Sequence, residues 1–294
     1  MARKVRPWQR DRDVLREVAR SPMTTRQITS LHGFPSAKKA AERLCALRHA
    51  GFLKQIPHVQ PAKQGKPELV SFIGAMPPVR TLVHTIGIAD VYVQSALWLR
   101  TTDWSGEFYY THEVPTTGGI IPDATLILTK GGTSGLRFFE VDNGTETIIG
   151  NGAYSLAKKL GLYASYYDSN AYARDFAPHG TFQGFRVCLI TTSGRVRHVQ
   201  HLLHREQHDF VLVTSFDQLK QGFGKAIWTT SENETVDLLG RRRELVGEIV
   251  REIVVPESPS TATDNPRAVN ELATTRRSET IVTGQGAANE EDAQ

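Results

Sequence analysis

Two short apolar runs separated by a glycine-rich turn constrain the fold of this chain more than any other feature. The first run covers residues 124–128, the second covers residues 136–141, and the turn Lys-Gly-Gly-Thr-Ser-Gly occupies residues 130–135. Apolar runs of this length with a glycine-containing connection predict a β-hairpin whose loop exceeds the tightest two-residue type. The chain is therefore expected to contain a sheet built around this hairpin.

Acidic residues lie at the same end of both predicted strands. Side chains alternate between the two faces of a strand, so Glu140 and Asp142 are expected on one side. If the hairpin pairs in register, Asp123 joins them. Clustered carboxylates stay ionised together only when cations or donors compensate them, and oxygen ligands suit Mg²⁺ or Mn²⁺. Two interpretations follow: a metal site formed by Asp123, Glu140 and Asp142, or a capped turn followed by solvated strand ends.

A helix is predicted after the hairpin, over residues 148–167, with its first turn weakened by Gly150 and Gly152. If its Lys159 approaches the strand ends, it can pair with a carboxylate and lower that group's pKa without any metal. A salt-bridged core is thus the structural alternative to a metal site. Tyr163 on the same helix is expected to serve packing.

These residues resemble the replication-relaxation family of bacterial plasmids and mobile elements. The resemblance rests on Pro122-Asp123, on Phe-Phe-Glu-Val-Asp-Asn-Gly-Thr-Glu at residues 138–146, and on Lys159-Leu160 followed by Tyr163. It covers roughly residues 8–230. That family looks like a winged-helix segment followed by a domain similar to the PD-(D/E)xK nuclease superfamily.

The resemblance implies a metal-dependent endodeoxyribonuclease site with Mg²⁺ or Mn²⁺ as cofactor. In the nuclease pattern the aspartate after proline and the first acid of the next strand hold the metal, which matches Asp123 and Glu140. The lysine expected two positions later is replaced by Asp142, so either a helix lysine takes its role or the domain binds DNA without cutting it. If the domain cuts DNA, the expected catalytic set is Asp123, Glu140, Asp142, Glu146 and Lys159, in which Asp142 or Glu146 completes the metal shell and Lys159 stabilises charge or orients water.

The charge distribution favours nucleic acid as a partner. Residues 1–60 contain 13 Lys or Arg and 4 Asp or Glu, whereas residues 256–294 contain 3 and 7. A basic amino-terminal block with an acidic tail is typical of proteins that bind nucleic acid. Basic excess can also serve solubility alone.

The basic block also has the pattern of a DNA-binding module. Helices are predicted over residues 10–20, around 25–31 and over 36–50, followed by strands at 52–56 and 69–73. This is the order of a winged helix-turn-helix, in which the third helix enters the major groove and the wing touches phosphate. The alternative is a small helical module that meets only protein or water. The predicted DNA contacts are Thr25, Arg26, Ser36, Lys38, Lys39, Arg43, Lys63 and Lys66.

Together these patterns predict an α+β protein: a winged helix-turn-helix at residues 1–74, a nuclease-like α/β domain with a mixed sheet at 79–255, and a disordered tail at 256–294. The first residues carry charge without an apolar segment, and no apolar run approaches the roughly 20 residues of a membrane helix. A cytoplasmic location without membrane contact is expected. The expected partners are double-stranded DNA, a relaxase or replication initiator, and a second copy of the chain.

Overall fold

The fold is of the α+β class with a mixed sheet, as the sequence predicts. The computed structural model describes residues 6–58, 68–75, 78–111, 113, 116–117, 119–144, 147–150 and 155–241. All of these residues belong to one compact unit that spans residues 1–245. The predicted tail and the predicted boundary at residue 255 lie outside the described residues.

The amino-terminal region combines three helices with a small antiparallel sheet. Its elements are α1 (Gln9–Arg20), β1 (Met23–Thr24), α2 (Thr25–Leu31), α3 (Ala37–His49), β2 (Lys54–His58) and β3 (Glu68–Phe72). The strand order is β1-β3-β2. The two-residue strand β1 has no pattern that a sequence analysis detects. It ends at Thr24, whose side chain accepts a hydrogen bond from the backbone N–H of Gln27 and caps α2.

The larger sheet has seven strands in the order β10-β9-β8-β7-β6-β5-β4, of which β6, β7 and β8 run parallel to one another. The predicted hairpin is formed by β5 and β6, in antiparallel register. The elements that follow β3 are α4 (Val79–Leu99), β4 (Ser105–Tyr110), β5 (Ala124–Lys130), β6 (Thr133–Val141), α5 (Leu156–Asp168), α6 (Ala171–Asp175), a 3-10 turn (Ala177–His179), β7 (Phe185–Thr191), α7 (Val196–Glu206), β8 (Val211–Ser215), α8 (Phe216–Leu219), β9 (Trp228–Thr229) and β10 (Thr235–Val236).

Helices cover both faces of this sheet. On one face α5, α6 and α7 pack against β6 and β7, with Phe138 and Tyr163 in the same buried cluster. On the other face α4 and α8 pack against alternate residues of the same strands, with Val91 and Phe139 in a second cluster. Because consecutive strand residues serve opposite cores, both long central strands read as continuous apolar runs.

Helix α4 connects the two layers of the structure. Its Val91 faces the large sheet, whereas Ala89 and Val93 lie in the same cluster as Val14 and Leu44 of the amino-terminal helices. Its residues 80–99 are long and apolar enough, by length and composition alone, to cross a membrane, which the sequence analysis did not anticipate. In the structure this apolar character is explained by packing on two sides.

The predicted helix over residues 148–167 is corrected at its start. Helix α5 begins at Leu156, after Ser155 accepts a hydrogen bond from the backbone N–H of Lys158. Residues 147–150 are not helical. A serine cap immediately before an apolar run sets the start of a helix more strongly than the weak helical pattern around two glycines.

Candidate functional site

Asp123 and Glu140 lie side by side at one edge of the large sheet. Ala124 pairs with Phe139, so continuing the antiparallel register by one residue sets Asp123 opposite Glu140. The backbone N–H of Asp123 donates to the carbonyl of Phe139 at 3.1 Å, and the N–H of Val141 donates to Oδ2 of Asp123 at 2.7 Å. The hairpin register therefore assembles the first two acids of the predicted site.

His84 of α4 holds the second oxygen of Asp123. Its Nε2 lies 3.0 Å from Oδ1 of the carboxylate. Burial alone would raise the pKa of Asp123, but the His84 hydrogen bond and the charge of Lys159 outweigh it and lower that pKa. The same hydrogen bond raises the pKa of His84 against the opposing effect of its burial. Asp123 and His84 thus stabilise each other's charged forms.

Glu140 is buried between α5 and the sheet. Tyr163 donates its hydroxyl to Oε1 at 2.5 Å, and the ammonium of Lys159 forms an ion pair with Oε2, outside ideal hydrogen-bond geometry. Burial, together with the neighbouring charge of Asp123, raises the pKa of Glu140 to about 8, against the opposing effects of Lys159 and Tyr163. Glu140 therefore binds its proton more tightly than a solvated glutamate does.

Asp142 follows the end of β6 and contacts residues at the end of β7 and the start of α7. Its Oδ2 accepts hydrogen bonds from Oγ1 of Thr191 and from Nε of Arg195, both at 2.9 Å. Its Oδ1 accepts the backbone N–H of Gly144 at 2.8 Å. Asp142 thus fixes the loop after β6 and the start of α7.

The donor set does not fit the predicted metal ion in this arrangement. Each of the six carboxylate oxygens of Asp123, Glu140 and Asp142 already faces a hydrogen-bond donor or a cation of the chain. Within the described residues, no group of three or more His, Cys, Asp or Glu side chains is placed to hold a metal. The cluster as placed is therefore compensated by groups of its own chain.

One predicted catalytic residue and two predicted DNA contacts lie outside the described residues. Glu146 lies in the gap between residues 144 and 147, and Lys63 and Lys66 lie between residues 58 and 68. Their assignments stay predictions.

The predicted contacts on α3 divide into exposed and buried sets. Ser36 caps the helix by accepting the N–H of Lys39, and Lys38 and Lys39 are exposed in its first turn. Arg43 instead points inward and binds the carboxylate of buried Asp11, with its Nε 2.9 Å from Oδ1. Arg43 therefore stabilises the packing of α3 on α1.

The predicted contacts at the start of α2 are also tied to the fold. Thr25 is buried and donates its hydroxyl to the carbonyl of Leu69 at 3.3 Å. Arg26 is exposed, but its backbone N–H donates to Glu68 at 2.8 Å and its guanidinium lies 3.7 Å from Asp90.

Two residues contact the carboxylates of the site although the sequence does not predict these contacts. Tyr163 was expected only to pack, yet its hydroxyl binds Glu140. Arg195 partners Asp142 across 53 residues of sequence, and no local pattern links the two. A polar hydroxyl on an otherwise apolar helix face was the available signal for Tyr163, because a buried phenol needs a hydrogen-bond partner.

The protein is thus of the α+β class, and its candidate site is a charge-compensated carboxylate cluster at one end of strands β5 and β6 in the mixed sheet. Residues 70–181, which include Asp123, Glu140 and Lys159, match the family model described as Replication-relaxation. This match supports the family predicted from the sequence. No curated protein and no solved structure shows a significant similarity to the chain. The family suggests a role in plasmid replication or relaxation.

Proposed function

We propose that this protein binds double-stranded DNA through a winged helix and acts in the replication or relaxation of a plasmid or mobile element without cutting the DNA. The observation that carries the proposal is the basic, exposed first turn of α3. The remaining contacts of the region support it.

The order of elements supports a winged helix-turn-helix. Three helices precede the hairpin β2-β3, and the short strand β1 pairs with β3 to complete a three-stranded sheet. In such a module the third helix is the one that enters the major groove, and the hairpin is the wing. Lys63 and Lys66 lie in the connection between β2 and β3, where a wing contacts phosphate.

The two sides of α3 differ in the way that a recognition helix requires. Ala40, Leu44 and Leu47 are buried against α1 and α2, whereas residues 36–39 are exposed. The positive end of the helix dipole and the ammonium groups of Lys38 and Lys39 act at the same end of the helix, where they attract phosphate. Arg43 is excluded from this surface by its ion pair with Asp11.

The carboxylate cluster supports binding without catalysis. The negative charge that a metal ion would otherwise compensate is met here by Lys159 at Glu140 and by His84 at Asp123. The cluster instead joins α4 and α5 to the end of the hairpin. A metal-dependent nuclease is the second candidate, favoured by the proximity of Lys159 to both Asp123 and Glu140.

DNA binding is tested by measuring affinity as a function of salt for wild type and for the Lys38→Ala/Lys39→Ala variant. Each phosphate contact contributes about 0.9 to the slope of log affinity against log salt, so the double variant is expected to lose roughly 2 units of slope. The matched control is Arg197→Ala/Arg205→Ala, which removes two exposed positive charges from α7. Equal losses in both variants, or a flat salt response in wild type, would contradict the proposed surface.

Catalysis is tested separately on supercoiled plasmid with Mg²⁺ or Mn²⁺. Wild type is compared with Asp123→Ala/Glu140→Ala, and neither protein is expected to nick or cleave the DNA. Metal-dependent cleavage by wild type that is absent in the double variant would establish the nuclease. Because this assay does not depend on α3, it separates the two candidate functions.

A further inference from the structure

A cluster of arginine residues lies at the starts of strands β6 and β7, at the opposite end of these strands from the carboxylate cluster. There the first residues of β6 and β7, the segment after β10 and the residue before β4 surround a cavity of about 420 Å³. Three arginines line it: Arg137, Arg186 and Arg241. None of them takes part in the carboxylate cluster.

Arg137 is a buried cation that forms no ion pair with any acidic residue in the described part of the chain. Its side chain shares a strand face with Phe139 and Val141, and only 8% of the residue is exposed. The guanidinium donates from Nε to the carbonyl of Leu238 at 3.0 Å and from Nη1 to the carbonyl of Leu136 at 2.9 Å. No ion pair within the described residues includes Arg137. Two neutral carbonyls compensate a buried charge only in part.

Arg186 adds a second positive charge directly beside the first. The parallel register of β6 and β7 pairs Arg137 with Arg186. Like charges opposite each other destabilise a sheet unless an anion lies between or near them. Burial and the charge of Arg186 lower the pKa of Arg137, and Cys188 and Asp237 oppose them. Asp237 is itself bound by Arg241, 2.7 Å from its guanidinium.

We propose that this cavity, the arginine pocket, binds a phosphate group. Guanidinium groups present paired N–H donors that match the oxygens of phosphate, and a bound dianion or phosphodiester would compensate Arg137 and Arg186 together. The hydroxyl residues Thr133 and Ser134 and the aromatic residue Trp104 also line the pocket. These are donors and a flat surface that suit a phosphate carried by a nucleotide or by a strand of nucleic acid.

The first test measures thermal unfolding of the full chain in inorganic phosphate and in chloride at matched ionic strength. A ligand that binds only the folded state raises the melting temperature, and here phosphate is expected to add about 3 °C for wild type. Arg186→Ala and, separately, Arg241→Ala should lose most of this increment. Arg197→Ala, an exposed arginine on α7, is the matched control and should retain it.

The second test identifies the source of the phosphate. Binding of a short fluorescent single strand is compared with and without a terminal phosphate. Preference for the phosphorylated strand that falls about tenfold in Arg186→Ala supports a nucleic-acid end as ligand, whereas a response to inorganic phosphate alone supports a free anion. The proposal is overturned if wild type shows no increment over chloride, or if both arginine variants keep the full increment. Neither result bears on DNA binding by α3, which has its own variants.

Discussion

Lys159 of α5 forms an ion pair with Glu140 of β6 at a place where the glutamate side chain is 3% exposed and the lysine side chain 29%. The charge of Lys159 also lowers the pKa of Asp123, the cross-strand neighbour of Glu140. One ammonium group therefore compensates two carboxylates. This relationship connects α5 to the hairpin and makes Lys159 the residue whose loss should disturb the cluster most.

Replacing Lys159 by Met is expected to destabilise the fold by about 3 kcal/mol, because it removes the cation that faces buried Glu140 and that also stabilises the charge of Asp123. Urea unfolding measures the change. Lys158→Met is the matched control, since Lys158 is the exposed neighbour on the same helix, and it should change stability by less than about 0.5 kcal/mol. The additional change Glu140→Gln should recover part of the loss. Unaltered stability of Lys159→Met would show that the ion pair contributes little.

The stability that Glu140 and His84 contribute to the fold is expected to fall as the pH rises from about 5 to about 8. The pKa of Glu140 is raised from 4.5 to about 8 and that of His84 is raised above 6.5, so over this range these two groups bind more protons in the folded state than in the unfolded state. Stability is fully present below the unfolded pKa values and is lost as the pH passes through the folded ones. The contribution of Glu140 is on the order of 5 kcal/mol over its whole titration. Burial lowers the pKa of His32 to about 4, so His32 acts in the opposite sense below pH 6.5.

This pH dependence is measured by urea unfolding at several pH values for wild type and Glu140→Gln. The variant lacks the titrating carboxyl, so its stability should fall less steeply over the same range. Asp123 does not contribute to this fall: its pKa is lowered, so its own effect appears only as the pH falls through acid values. Parallel curves for the two proteins would contradict the assignment of the proton to Glu140.

Much of this cluster follows from local sequence. The alternation of strand residues and the turn between the two apolar runs are enough to place Asp123 beside Glu140. Pairing with Lys159 was one of two interpretations, and the choice between them depends on where α5 begins. Ser155 settles that start, about seven residues later than the helical pattern alone indicates.

The partner of Asp142 illustrates what local sequence does not contain. Arg195 reaches Asp142 only because β6 and β7 pair in parallel and the turn after β7 returns to the same edge of the sheet. The same holds for Arg43, whose basic helix pattern suits DNA but whose partner Asp11 lies 32 residues away on α1. Side-chain direction at such positions is decided by packing between elements that are distant in sequence.

Arg195→Ala is expected to destabilise the protein by about 2 to 3 kcal/mol, because Asp142 is 3% exposed and would be left with only Thr191 and the backbone of Gly144 as donors. Arg197→Ala removes an exposed arginine two residues further along and should be nearly neutral. Chemical unfolding of both variants gives the comparison. Should the two lose equal stability, Asp142 would not depend on its ion pair.

Arg43→Ala separates a structural arginine from a DNA contact. Asp11 is 3% exposed and accepts hydrogen bonds from Arg43 and from the backbone of Trp8, so loss of the guanidinium should cost about 3 kcal/mol of stability. Lys39→Ala removes an exposed charge from the same helix and should leave stability within about 0.5 kcal/mol of wild type.

For DNA binding the order of the two variants should be reversed, with the larger effect in Lys39→Ala. Under conditions where both variants are folded, Lys39→Ala is expected to reduce the slope of log affinity against log salt by about 1, whereas Arg43→Ala should leave it unchanged. The physical reason is that Lys39 lies in the exposed first turn of α3, where its ion pair with Glu42 is open to solvent, while Arg43 is bound to buried Asp11. A smaller slope for Arg43→Ala with unaltered stability would mean that Arg43 leaves Asp11 to contact DNA.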